Sequence, residues 1–123
     1  MLTRLYRTAF WAAALFALVM ASLPQPPQLP GSPGDKVQHI MAFAVLACLA
    51  ALAFPRARLP RLALALSAFG AAIEIVQMIP RLHRDASWFD WMADTAAVVV
   101  VFGLVRVLRS GALPSWGKRL GAD

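Results

Sequence analysis

Eight residues in an otherwise apolar chain have the types and spacings of a polar site: Asp35, Lys36 and His39; Glu74 and Gln77; Arg84; Asp90 and Asp94. An imidazole beside a carboxylate makes a general acid/base pair, which His39 could form with Glu74, Asp90 or Asp94; the catalytic candidates are therefore His39, Glu74 and Asp90. Lys36, Arg81 and Arg84 offer positive charge to a phosphate, the arginines through paired donors. Two or three carboxylates with an imidazole could also hold a divalent cation, but no ligand spacing selects a metal. No metal and no cofactor is assigned on this basis. The sequence contains no serine-centred nucleophile motif, no phosphate-binding glycine loop and no zinc signature.

For these residues to act together, helices must position them. Asp35 and His39 are four apart, Glu74 and Gln77 three, Asp90 and Asp94 four, and residues at those spacings share a helix face. The chain has 123 residues, 60% hydrophobic and 15% charged, against about 45–50% apolar and about 25% charged in soluble domains. The apolar excess comes in four blocks, 8–23, 38–54, 62–79 and 91–108, each near the ~17–20 residues that cross a bilayer core as helix. The expected fold is all-α: a single integral membrane domain, a four-helix bundle with both termini on the same side.

The connections fit that reading. Residues 24–34 hold five prolines and two glycines, which predicts an extended connector. Asp35 is a candidate N-cap for the second helix. Pro60 falls in the first turn of the third, where proline is tolerated. Pro80 ends or kinks the third helix, and Ser87 with Asp90 resembles a capping box opening the fourth. Trp88 and Trp91 suit a membrane–water interface, and Ala68 and Ala72 are spaced for close helix packing. Cys48 has no disulfide partner in the chain and is expected to serve packing.

The net charge of +6 raises the possibility of nucleic acid, but its distribution argues against it. Nine of the twelve basic residues, among them Arg4, Arg7, Arg58 and Arg109, lie at one end of a four-span topology. The other end carries only Lys36, Arg81 and Arg84, with five of the six acids. Short loops rich in Lys and Arg stay in the cytoplasm. This places both termini and the tail 109–123 inside, and puts the polar residues and the proline-rich connector outside. The first block resembles a signal peptide, with Val19 and Ala21 at the small-residue spacing of a cleavage site. It is long enough to span, however, and is read as an uncleaved helix.

Glu74 lies six residues before Pro80, about 9 Å along a helix, and so below the interface. A charge near the bilayer centre costs on the order of 3 kcal/mol on the lenient insertion scale, so Glu74 should face the bundle interior and have a partner. Gln77 alone fits a helix-linking hydrogen bond. Lys36, Arg81 and Arg84 taken singly fit interfacial anchors, and His83 fits a solvated loop residue.

The segments "DKVQHIMAF" and "EIVQMIPRLHRDASWFDWMAD" resemble the VanZ-like family of small bacterial membrane proteins. The resemblance rests on Asp35, Lys36, His39 and Phe43 in the first half, and on Glu74, Gln77, Arg84, Asp90 and Asp94 in the second. It covers residues 35–103. The last polar position is often Asn in that family and is Asp94 here; Ala97 and Val101 stand where small glycines commonly follow. The resemblance implies a multi-pass protein of the bacterial cytoplasmic membrane, linked through the family's name-giving member to teicoplanin resistance. It supplies no biochemical activity.

The expected function is therefore binding of a lipid-linked or phosphate-bearing cell-wall ligand in an outward-facing polar pocket, with an effect on teicoplanin susceptibility. An intramembrane acid/base enzyme acting on a lipid phosphate is the alternative, and a small proton-coupled transporter a lesser one. The expected partners are the lipid bilayer and a lipid-linked precursor, not nucleic acid. Oligomeric state is not legible in the sequence.

Overall fold

The computed structural model describes residues 1–23, 35–82 and 87–111. The proline-rich connector 24–34 and the tail beyond Gly111 lie outside the described residues. Those described form α1 (Leu2–Ser22), α2 (Asp35–Ala53), α3 (Leu59–Gln77), a 3-10 turn at Pro80–Leu82, and α4 (Trp88–Ser110). The fold is all-α. Three helices, α1, α3 and α4, are long and apolar enough to cross a membrane, while the apolar stretch of α2, Val37–Ala53, is shorter.

The helices end where the backbone is stopped rather than where hydropathy falls. α1 begins at Leu2 and takes in Arg4 and Arg7, well before the apolar block at 8. α3 starts at Leu59 with proline in its first turn. It closes at Gln77, short of the expected 79, because Pro80 disfavours the helical conformation at Ile79. Met78 caps it, its N–H donating to the carbonyls of Glu74 and Ile75. α4 runs through Arg109 and Ser110, two residues assigned above to the tail, and stops at Gly111, whose φ of 68° is left-handed.

Three side-chain bonds fix the helix directions. Arg7 Nε donates to the Ala53 carbonyl at 3.0 Å, joining the start of α1 to the end of α2. Arg109 donates to the Ala51 carbonyl at 2.9 Å, joining the ends of α2 and α4. Gln77 Nε2 donates to the Ala21 carbonyl at 3.3 Å, joining the ends of α1 and α3. So α2 and α4 run parallel, and α1 and α3 run the opposite way. α2 packs chiefly on α4 and α1, and α3 chiefly on α4. With no basic residue in its own last turn, α2 has its C-terminal carbonyls satisfied by arginines from two neighbours, which also complements the helix dipole.

The bundle is apolar outside and partly polar within. Trp11, Leu64, Phe89 and Val100 stand on its surface, each more than half exposed, while Glu74, Gln77 and Asp94 are buried. A water-soluble protein of this size rarely shows so continuous an apolar surface, whereas one facing hydrocarbon must. The buried face of α3 is Leu66, Gly70, Ile73, Glu74 and Gln77. Ala68 and Ala72 are exposed on the opposite face, so they do not bring the bundle helices together. Cys48 is likewise exposed, because the inward line of α2 runs through Phe43, Leu46, Ala47 and Ala50.

The close approach comes at Gly70. A Cβ there would meet Phe43 Cζ at 3.3 Å and Trp91 Cδ1 at 3.4 Å, whereas at Gly103 it would meet nothing within 4 Å. Gly70→Leu should therefore destabilise the bundle by about 1–3 kcal/mol through overpacking. Gly103→Ala should be neutral or gain up to about 1 kcal/mol of helix propensity. Thermal unfolding of the two variants in detergent micelles checks both signs.

Candidate functional site

The site lies where α2 and α4 begin and α3 ends. Ser87 is extended (φ −138°, ψ 127°), and its hydroxyl accepts from the Phe89 N–H, capping α4. In a capping box the side chain of Asp90 would accept the Ser87 N–H. Here Glu74 of α3 does so instead, through Oε2 at 3.0 Å. The carboxylate expected to need a partner is thus itself the partner of a neighbouring helix's first N–H. Glu74 Oε1 has no hydrogen-bond partner.

One turn after Asp90, Asp94 points into the bundle, and its side chain faces His39 of α2. The His39 Nδ1–Asp94 Oδ2 distance is 3.5 Å, longer than the ~2.7–2.9 Å of a well-formed charge-assisted bond. Neither carboxylate oxygen of Asp94 has a hydrogen-bond partner. Glu74 is 0% exposed and Asp94 1%, whereas His39 is half-buried and gives the group its opening. One nitrogen of His39 and one oxygen from each of Glu74 and Asp94 lie within 4.8 Å of one another. Asp90 is half-buried and near enough for its charge to act on all three.

Of the residues singled out from sequence, His39, Glu74 and Asp94 come together with Asp90 beside them. Gln77 is buried but turned to α1, where it makes the Ala21 bond, the linking role open to it from the sequence. Arg81 is exposed in the 3-10 turn at the same end. The side chains of Asp35 and Lys36, together with His83 and Arg84, lie outside the described residues. Phe43 is buried one turn below His39 and packs on Phe69 with ring centroids 6.0 Å apart.

Sequence reasoning did not identify a second polar contact between α3 and α4. Ser67 and Thr95 share a hydroxyl hydrogen bond of 3.0 Å, and Trp91 Nε1 donates to the Ser67 carbonyl at 2.9 Å. Trp91 is half-buried and locks the two helices next to the site. The available signal was Ser67 itself, a hydroxyl two turns before Glu74 in an apolar run.

No protein-family model, curated protein or solved structure matches the chain. What the site can do must come from its atoms: it offers an imidazole, three carboxylate oxygens without hydrogen bonds, and one backbone N–H already used. Glu74→Ala should leave the Ser87 N–H unbonded at a cost of about 1–3 kcal/mol, and should speed amide exchange at Ser87 and Phe89. Glu74→Gln keeps an acceptor at that position and should protect those amides nearly as well as the parent. Hydrogen exchange read by mass spectrometry in micelles tests the pair.

Proposed function

We propose that the chain is a VanZ-like, multi-pass protein of the bacterial cytoplasmic membrane, with both termini in the cytoplasm. In this reading its polar cluster opens on the outer face and engages a lipid-linked or phosphate-bearing cell-wall ligand. The observation that carries it is the asymmetry of the bundle. One end holds half-buried His39 with buried Glu74 and Asp94, whose carboxylates keep unbonded oxygens, while the other is closed by Arg7 and Arg109 on the last carbonyls of α2. Basic ends are retained in the cytoplasm, which turns the acidic end outward. Polar side chains at membrane depth are costly enough to be kept for use.

Within this reading, Arg81 at the rim, joined in sequence by Lys36 and Arg84, would meet the phosphate, and the acids below would accept hydroxyl or ammonium groups of the ligand. An intramembrane acid/base enzyme acting on a lipid phosphate is the second reading, favoured by His39 facing Asp94 at 3.5 Å.

The test is teicoplanin sensitivity of bacteria expressing the parent or Glu74→Gln at matched membrane levels, with co-purifying lipids identified by mass spectrometry. The parent should protect and carry a phosphate-bearing lipid; the variant should accumulate equally, lose the lipid and fail to protect. Equal behaviour of the two would remove the cluster from the function. Conversion of the co-purified lipid by the parent would favour the enzyme.

A further inference from the structure

We infer that His39, Glu74 and Asp94 form a divalent-cation site, with Zn²⁺ or Mn²⁺ as the class of ion. The inference does not rest on the ligand proposed above. Three observations converge on it.

The first is geometric. Nitrogen and oxygen atoms bound to one ion at about 2.0–2.2 Å sit roughly 3.0–3.5 Å apart. The His39 Nδ1–Asp94 Oδ2 separation of 3.5 Å is long for a hydrogen bond and fits two ligands flanking a common ion. One nitrogen of His39 and one oxygen from each of Glu74 and Asp94 lie within 4.8 Å of one another, so binding an ion would draw the three side chains slightly together.

The second is the pattern of unmet acceptors. Glu74 Oε1 and both oxygens of Asp94 are buried without a hydrogen-bond donor. Both side chains are more than nine-tenths buried, Asp94 faces His39 at 3.5 Å, and an oxygen of Glu74 lies within 4.8 Å of both. Buried acceptors need donors, a proton or a cation, and among the described residues the one donor that faces these oxygens is His39, held 3.5 Å from Asp94 Oδ2.

The third is charge and support. Two carboxylates and a neutral imidazole sum to −2, which a divalent ion cancels in a medium that penalises net charge. Glu74 is aimed by the Ser87 N–H on its other oxygen, the kind of outer bond that orients a metal-ligating carboxylate. One nitrogen and two oxygen ligands suit Zn²⁺ or Mn²⁺ better than Mg²⁺ or Ca²⁺, which favour oxygen alone. Three protein ligands also leave at least one position open, on the side of His39, whose side chain is 15% exposed.

The experiment uses the full chain without a histidine tag, in detergent micelles, after chelator treatment. Cys48→Ser serves as the background so that the exposed thiol cannot bind zinc. Zn²⁺ and Mn²⁺ are titrated by calorimetry, and Co²⁺ is used as an optical probe of coordination. One ion should bind per chain and raise the unfolding temperature. His39→Ala, Glu74→Gln and Asp94→Asn should each weaken binding by more than about 100-fold, since loss of a ligand should exceed the ~10–100-fold cost of losing an outer partner. Glu74→Gln is the decisive variant, because it retains an acceptor for Ser87 and should fold. Absence of saturable binding to the parent at millimolar metal would overturn the site, as would binding that survives in Glu74→Gln at full affinity.

Discussion

The bundle depends on one constraint: a carboxyl group buried among apolar helices must be held by something. Glu74 is held by the first N–H of α4, an amide the helix cannot satisfy for itself. The bond solves two problems at once, giving the acid a donor and the helix start an acceptor. It also fixes where α4 begins relative to α3, and so sets the height at which Asp94 enters the interior. Trp91 and the Ser67–Thr95 pair then hold the same two helices together at neighbouring positions. The approach of α2 follows from Gly70, whose missing Cβ admits Phe43 and places His39 opposite Asp94.

α2 therefore has polar neighbours at both ends, of opposite sign. Its first turns carry His39 against the acids of α3 and α4, and its last carbonyls accept arginines from α1 and α4. Between them lies an alanine-rich stretch buried on its inward face. This division is what an apolar solvent enforces: charge is confined to the ends or to the interior, and the outer surface is left to Leu, Val, Ile and Phe. The apolar exterior and the acidic cluster are two aspects of one arrangement.

Much of this was legible in the sequence. The helical periodicity and apolar blocks identified all four helices, and the shared spacing of Glu74 with Gln77 and of Asp90 with Asp94 pointed to one end of the bundle. Helix limits were less legible, because hydropathy marks the apolar stretch while Pro80 and Gly111 mark where the backbone stops. Ala68, Ala72 and Cys48 were misplaced for a different reason. In an almost wholly apolar helix nothing in composition distinguishes the inward face from the outward one, and only the polar residues and Gly70 do so. The Glu74–Ser87 bond was illegible because it joins residues on separate elements, and the local capping rule pointed instead to Asp90.

The acidic interior raises an electrostatic question for any phosphate-bearing ligand. Carboxylates buried among apolar helices repel an anion, and exposed Arg81 is too well solvated to reverse the field deep inside. A divalent ion held by His39, Glu74 and Asp94 would cancel the charge of the two carboxylates and leave an open position for a phosphate oxygen. Without the ion, the same atoms favour hydroxyl or ammonium groups over phosphate. The proposed cation and the proposed ligand would thus be linked: the charge at His39, Glu74 and Asp94 would decide which end of an amphiphilic molecule could enter.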